Sequence, residues 1–425
     1  MEDTIFALSS GVAPAGIGVI RISGPTAFAA VAAMAGSLPP PRTARVRALR
    51  DGAGALLDRA LILVFPGPAT ATGEDLAEFH CHGGRAVIAA VLAALGTQSG
   101  LRPALAGEFT RRALGNGRID LAEAAGLADL LSADTERQRI AALAAAEGIV
   151  SQRVRGWLDR LAMLAALTEA QLDFSDEDDV DADDAALAAV VAGKTALVRE
   201  LQAVLDNPPV ERLRDGVHVV LAGPPNSGKS TLVNCLGQRE LAIVSPIAGT
   251  TRDRIEATVT RNGLVYVLTD TAGLTVSDDP IEQIGVTRAE AAITRADILL
   301  WLGDDQPPRG DAIWVRARAD VADRAVLPSA DLSVSQSDGG SIERLWIMIA
   351  AAAEALMPRG DALAFRETER EACRRAVTIL QADESDPLIV GEQLRLATRA
   401  LATILGVDAT ETMLDALFGK FCIGK

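Results

Sequence analysis

Short apolar runs rich in β-branched residues, bounded by Gly and Pro, mark the first 118 residues; Ile17 to Ile22 and Leu61 to Phe65 are the clearest. Runs of that length with that punctuation predict strands in a mixed α/β region. From Val150 the pattern changes period. Val154, Trp157, Leu161 and Leu164 recur at three and four, the signature of one buried face of a long helix that runs out at Asp173. From Gly216 to about Ala353 the texture is strand, Gly-rich turn, helix, as in a parallel α/β domain. Helical spacing then resumes with Val390, Leu394, Ala397, Leu401 and Ile404.

These changes of period divide the chain into 1–118, 119–210, 211–355 and 356–425. The last segment is small to fold alone, whereas helices on both sides of the third can share one core. The expected architecture is therefore α/β plus all-α, with an α/β domain inserted into a discontinuous helical domain.

Composition narrows the function. With 425 residues, 49% hydrophobic and 23% charged, the chain can bury several cores and is neither disordered nor a disulfide miniprotein. A formal charge of −16 disfavours an autonomous polyanion binder, so a nucleic-acid substrate needs a partner or a local patch. Eight of the twelve residues from Asp173 to Asp184 are acidic, which reads as a solvated, self-repelling loop rather than a site. Cys81, Cys235, Cys373 and Cys422 lack CxxC spacing and fit reduced thiols. The acidic opening has no basic leader and no apolar run is long enough to span a bilayer, so a soluble cytoplasmic protein is expected. Nearly every basic residue is arginine; lysine survives only at 194, 229, 420 and 425, which draws attention to Lys229.

Lys229 sits in Gly223-Pro-Pro-Asn-Ser-Gly-Lys-Ser230, a GxxxxGK[ST] loop between the strand-like Val217 to Ala222 and the helix-like Thr231 to Leu236. Glycines permit a tight turn whose N–H groups converge on phosphate oxygens at a helix N-terminus. The segment Asn226, Ser227, Gly228, Lys229, Ser230, Thr231 is the expected cradle, with Lys229 on the β and γ phosphates and Ser230 on Mg²⁺. Gly249-Thr-Thr-Arg-Asp253 follows as a first switch, and Asp270-Thr271-Ala272-Gly273 ends the strand-like Leu264 to Thr269, with Asp270 placed to hold the metal's hydration shell. Three motifs in this order predict a GTPase.

The base reader is degraded. Asn-Lys-x-Asp appears as Ala317-Arg318-Ala319-Asp320, so Asp320 can accept from guanine N1–H and the 2-amino group, but the asparagine amide is missing. Such a loss costs roughly 0.5 to 1.5 kcal/mol. Leu274 replaces the glutamine that orients water in Ras-like enzymes, so another group must act. Glu282 offers an acceptor, although it also reads as an exposed charge at a helix start, and a cation held by Asn226 offers charge compensation. His80 and His82 share one strand face while Cys81 points away, which argues against a metal centre there.

Asp3-Thr-Ile5, Arg21-Ile-Ser-Gly-Pro25, Gly73-Glu-Asp75, Glu78-Phe-His-Cys-His-Gly-Gly84, Gly107-Glu-Phe-Thr-Arg111, Asn116-Gly-Arg-Ile-Asp120, the nucleotide motifs and Phe421-Cys-Ile-Gly-Lys425 together resemble the MnmE (TrmE) family of tRNA modification GTPases over essentially the whole chain. The resemblance implies an N-terminal tetrahydrofolate-binding and dimerisation domain and a Ras-like G domain inserted in a helical domain. It implies a homodimer that assembles with the FAD-dependent MnmG as a heterotetramer and modifies carbon 5 of the wobble uridine of certain tRNAs, adding an aminomethyl or carboxymethylaminomethyl group. Potassium-dependent pairing of G domains would trigger hydrolysis.

By the same resemblance Asn226, Ser245, Ile247 and Thr250 fall on the K⁺ ligands, Ser230 and Thr251 on the Mg²⁺ ligands, and Glu282 on the residue that positions the attacking water. Arg21, Glu78, Arg118 and Lys425 fall on the contacts to a 5-formyl or 5,10-methylene tetrahydrofolate derivative, with Arg118 where lysine is common. Cys422 is either a reactive group at that site or a small buried packing residue. Other departures are the thin glycine approach before Arg21 and the altered segment 276–280. A regulatory GTPase switch in ribosome or complex assembly is the alternative; it would bring a basic RNA-binding module, whereas this chain brings acidic flanks.

Overall fold

The computed structural model describes residues 3–174, 184–238, 256–271, 290–321, 329–359, 364–382, 384, 386–419 and 421–424. The chain divides into two compact units, one made of 1–131, 144–163 and 398–425, the other of 132–143 and 164–397. The acidic block read as a solvated loop lies largely outside the described residues.

In the first unit, strands β1 (Thr4–Leu8), β2 (Ile17–Ser23), β3 (Arg45–Arg50), β4 (Leu56–Phe65), β5 (Leu76–His82) and β6 (Leu101–Pro103) form one sheet in the order β3-β4-β5-β2-β1-β6. Strict alternation decides which side chains enter the core. Ile20 and Ile22 on β2, Ala77, Phe79 and Cys81 on β5, and Ile62 and Val64 on β4 face a layer formed by α1 (Ala27–Ala35) and α2 (Arg85–Gly96). The residues between them, Arg21, Glu78 and His80, belong to the other side. There α3 (Glu108–Gly115) lays Phe109 against Ile5, Ala7 and Ala104. Helix α4 (Leu121–Ser132) packs Ala124 against Phe418 and Phe421 from the far end of the chain.

Helices α5 (Glu136–Ala146), α6 (Ile149–Phe174) and α7 (Asp184–Asp206) follow, then the single turn α8 (Glu211–Asp215). The 3–4 spacing is realised on α6, where Val154, Trp157 and Leu161 are all buried.

The sheet of the second unit contains β7 (Val217–Ala222), β8 (Glu256–Arg261), β9 (Leu264–Asp270), β10 (Ile298–Trp301), β11 (Ile313–Arg316) and β12 (Leu332–Ser333), in the order β12-β11-β10-β7-β9-β8. Among the described strands only the β8/β9 hairpin is antiparallel, closed by Asn262 and Gly263, both at positive φ. Helices α9 (Lys229–Gln238) and α10 (Gly339–Ala355) cover one face through Leu232, Val233, Leu236, Leu345, Trp346 and Ile349. The remaining helices are α11 (Glu367–Leu380), α12 (Pro387–Ala402) and α13 (Glu411–Phe418). Arg370 of α11 donates to the carbonyls of Val204, Leu205 and Asn207 at the end of α7, placing a cation at the carbonyl end of that helix. Lys194 of α7 is buried and donates to Gln393 of α12 at 2.7 Å. Among the described residues no helix is long and apolar enough to cross a membrane.

Candidate functional site

The nucleotide motif falls at the carboxyl end of β7, the central strand of a mostly parallel sheet, which is where such sheets bind ligands. The loop between β7 and α9 turns through Gly223 (φ 147°), Asn226 (φ 59°) and Gly228 (φ 104°). Lys229 is buried at the start of α9, and its ammonium donates to the carbonyls of Gly223 and Pro224, both at 2.8 Å. Burial pulls its pKa below the ordinary lysine value, and the nearby Asp270 carboxylate partly opposes this. Ser230 in the first turn of α9 donates its hydroxyl to Asp270 at the end of β9, so two hard oxygen groups from separate elements meet. Thr271 is tied back by its hydroxyl to the Leu221 carbonyl at 2.9 Å, fixing the β9 exit beside β7.

Residues 317–320 follow β11 directly. Ala317 is buried, while Arg318 and Asp320 are exposed. Arg318 adopts φ 57° and donates from Nη1 to the carbonyl of Asn226 at 3.0 Å. Sequence reasoning missed this contact; the signal available was an arginine, with its longer reach and extra donors, in a lysine position. Ser245, Ile247, Thr250, Thr251, Ala272, Gly273 and Glu282 lie outside the described residues.

In the first unit the structure joins Arg21 and Glu78, which are direct cross-strand partners on β2 and β5. Arg21 Nε and Nη2 both donate to Glu78 Oε1, at 3.2 and 3.0 Å, and Arg21 also lies over the Phe109 ring at 5.9 Å. Glu78 Oε2 is engaged by His80 Nε2 at 3.1 Å. His80 is a third member of the cluster that the sequence reading left unassigned, although its i, i+2 spacing from Glu78 on one strand face was visible. His82 instead pairs with Asp58 at 2.7 Å. Burial would raise the Asp58 carboxyl, but hydrogen bonds from His82 and the Arg59 amide hold it below the usual range. Cys81 faces the core and burial pushes its thiol up to about 12. Among the described residues no cluster of three or more His, Cys, Asp or Glu is arranged to hold a metal ion.

Arg118 does not touch this cluster. It is exposed, and its Nε donates to the Thr70 carbonyl at 3.1 Å while Asn116 holds the Thr72 carbonyl at 2.7 Å, so both pin the loop before β5.

At the other end of the chain, Phe421 is buried, Ile423 bridges to Ala106, and Gly424 at φ 99° lies against β1. Cys422, held between these anchors, is exposed, which removes the reading of it as a buried packing residue. Lys425 lies outside the described residues. A Cβ at 424 would stand 2.1 Å from the Leu8 carbonyl oxygen, at a φ that L side chains rarely adopt. Gly424→Ala is therefore expected to lift the segment from β1 and raise hydrogen exchange at Ala106 and Ile423. Unchanged protection at both amides would show that the glycine is dispensable.

A second feature that sequence reading missed stands behind the loop that Arg118 pins. Arg112 on α3 is completely buried and contacts Asp3, Glu74 and Glu108 together.

Residues 4–118 match the family model described as GTP-binding protein TrmE N-terminus, and residues 121–422 match the MnmE helical domain. A tRNA modification GTPase MnmE of Rhizorhabdus wittichii is 53% identical, the alignment spanning 100% of this chain and 97% of that one. The protein of that description from Erythrobacter litoralis is 52% identical with 100% of both chains covered. The one from Sphingopyxis alaskensis is 51% identical over 96% of this chain and 100% of its own. With a P-loop at the central strand and matches running from residue 4 to residue 422, the chain belongs to the MnmE (TrmE) family of tRNA modification GTPases.

Proposed function

We propose that the chain is the potassium-activated GTPase component of a complex that modifies carbon 5 of the wobble uridine of tRNA, using a tetrahydrofolate derivative as one-carbon donor. The observation that carries this reading is the presence in one chain of a P-loop strand-turn-helix and the N-terminal module matched over 4–118. A regulatory switch needs only the first of these.

In this reading the loop 226–231 cradles the phosphates, Lys229 faces the β and γ oxygens, and Asp270 orients the shell of a metal ion ligated by Ser230 and Thr251. The donor set fits Mg²⁺, since Ser230 and Asp270 bring hard oxygens together. When bound, Mg²⁺ neutralises charge on the β and γ phosphates. Asn226, Ser245, Ile247 and Thr250 are the proposed K⁺ ligands; Asn226 is exposed on the phosphate loop at a positive φ, which suits an amide oxygen offered outward. The cation would supply the fixed positive charge that an arginine finger supplies elsewhere. Glu282 positions the attacking water.

The folate derivative is assigned to the sheet face of Arg21 and Glu78, with Arg118 and Lys425 facing its carboxylates and Cys422 beside it. The donors and acceptors suit a pterin carrying a glutamate tail: a carboxylate for ring N–H groups and cations for the tail. The Arg21–Glu78 pair is only partly shielded from solvent, at 26% and 16% exposure, so it remains accessible to a ligand. The proposed assembly is a homodimer joined to MnmG, acting on tRNA in the cytoplasm.

The testing experiment is steady-state hydrolysis of GTP and ATP in KCl and in NaCl of equal ionic strength. GTP turnover roughly a hundredfold faster in potassium is expected, the scale on which a fixed transition-state charge acts. Turnover indifferent to the cation removes potassium from the proposal. Wobble-uridine nucleosides that are unchanged by mass spectrometry in a strain lacking the protein remove the modification itself.

A further inference from the structure

The base loop of this chain has lost the asparagine amide that would donate to the purine, since a buried methyl group stands at Ala317. Asp320 can address only the N1–H and 2-amino edge of guanine. The other edge, O6 and N7, presents two acceptors, whereas adenine presents an N7 acceptor beside a 6-amino donor. A cationic donor on that side would therefore favour guanine and disfavour adenine.

Arg318, next to Ala317, carries such a cation. One guanidinium nitrogen is fixed on the Asn226 carbonyl at 3.0 Å, and this is the only hydrogen bond of its side chain among the described residues. Its stem runs along the phosphate loop, where a Cβ on Gly228 would meet its Cγ at 3.2 Å and its Cδ at 3.5 Å. Arg318 and Asn226 are both non-glycine residues at positive φ, 57° and 59°, so the hydrogen bond joins two strained backbone positions, one in each loop. A guanidinium carries five donors in a rigid plane, and anchoring one nitrogen orients the rest. A lysine in the same place has a single ammonium to offer and no such fork.

We propose that Arg318, anchored on the Asn226 carbonyl, donates to the O6/N7 edge of the bound guanine and so supplies the selectivity that Ala317 cannot. The proposal rests on the reading of residues 317–320 as the base loop. The test is competition against a fluorescent GDP by GDP, ADP and 7-deaza-GDP, which lacks the N7 acceptor. The proteins are the full chain, Arg318→Ala, and Arg318→Ala combined with Ala317→Asn.

The expected result is a loss of roughly tenfold in GDP affinity for Arg318→Ala, the scale of one base-edge contact, with much less loss for 7-deaza-GDP. The GDP to ADP preference should shrink in Arg318→Ala, and GDP affinity should partly recover in the double variant, where Ala317→Asn restores an amide donor. Equal loss for all three nucleotides would overturn the proposal, because it would make Arg318 only a strap on the phosphate loop. Asp320→Asn separates the two levels: a switch of preference towards xanthosine diphosphate sustains the base-loop reading even if the Arg318 result is negative. An unaltered preference removes the base-loop reading and the Arg318 proposal together.

Discussion

Replacing Lys229 by alanine is expected to lower kcat/KM for GTP by roughly 10²- to 10³-fold, the scale on which one preorganised cationic or hydrogen-bonding group stabilises developing charge. The physical basis is visible around its ammonium. Lys229 is held by the Gly223 and Pro224 carbonyls at 2.8 Å each, so its position is fixed by the backbone of the loop it serves. It is also buried, and burial already works against its charge, with Asp270 opposing. A phosphate replaces two neutral carbonyls with a formal anion at the same point, so the interaction is stronger for the nucleotide than for the loop. Arginine is not an equivalent: its planar fork is larger than the space that closes on an ammonium. Lys229→Arg should therefore lose nearly as much as Lys229→Ala. Turnover within threefold of the unaltered protein in either variant would exclude Lys229 from the phosphate site.

That lysine was legible because three local rules agree on it: a β-branched strand, a glycine turn and a helix start, all within 217–238. The same holds for β2 and β5, where alternation alone separates Ile20, Ile22 and Phe79 from Arg21 and Glu78. The division of a chain by period is also a local signal. What the sequence could not disclose were pairings made by register and by distant loops. Nothing in the spacing of Arg21 and Glu78 says that they stand opposite one another; that follows from the antiparallel register of β2 with β5. Likewise Arg318 meets Asn226 only because β7 and β11 flank β10 in one sheet. Arg112 was hidden for a different reason. It follows Arg111 on a short helix, and the two look alike in sequence, yet Arg111 reaches Glu411 and Asp415 near the surface while Arg112 has no solvent exposure at all.

Removal of Arg112 should be the costliest single change in the first unit. Its guanidinium donates from Nη1 to the Asp3 carbonyl at 2.9 Å and to Glu74 at 3.1 Å, and from Nη2 to the Asp3 carboxylate at 2.8 Å and to Glu108 at 3.2 Å. Glu74 in turn accepts from Ser23 at 2.8 Å, and Arg102 grips Glu108 from outside. One cation thus joins the start of β1, the loop before β5 and helix α3. Arg112→Ala leaves the largely buried Glu74 without its cation and Glu108 with Arg102 alone, and such a break costs about 3–5 kcal/mol. Arg112→Lys keeps the charge but not the fork, so it should recover only part of the loss. Acid adds an independent check. Burial would raise the Glu108 carboxyl, but hydrogen bonds from Arg102, the Leu105 amide and Arg112 hold it below the ordinary glutamate value. Its contribution is therefore complete above that ordinary value and is lost as pH falls through the lower folded one. Glu108 should titrate at a higher pH in Arg112→Ala, and more so in Arg102→Ala, because Arg102 contributes more to holding Glu108 ionised. Hydrogen exchange of the Ile5 to Leu8 amides, followed against urea and against pH, reports on this unit alone. A destabilisation below about 1 kcal/mol, the range of an exposed ion pair, would show that the network relaxes around the loss and that Arg112 does not hold these three segments together.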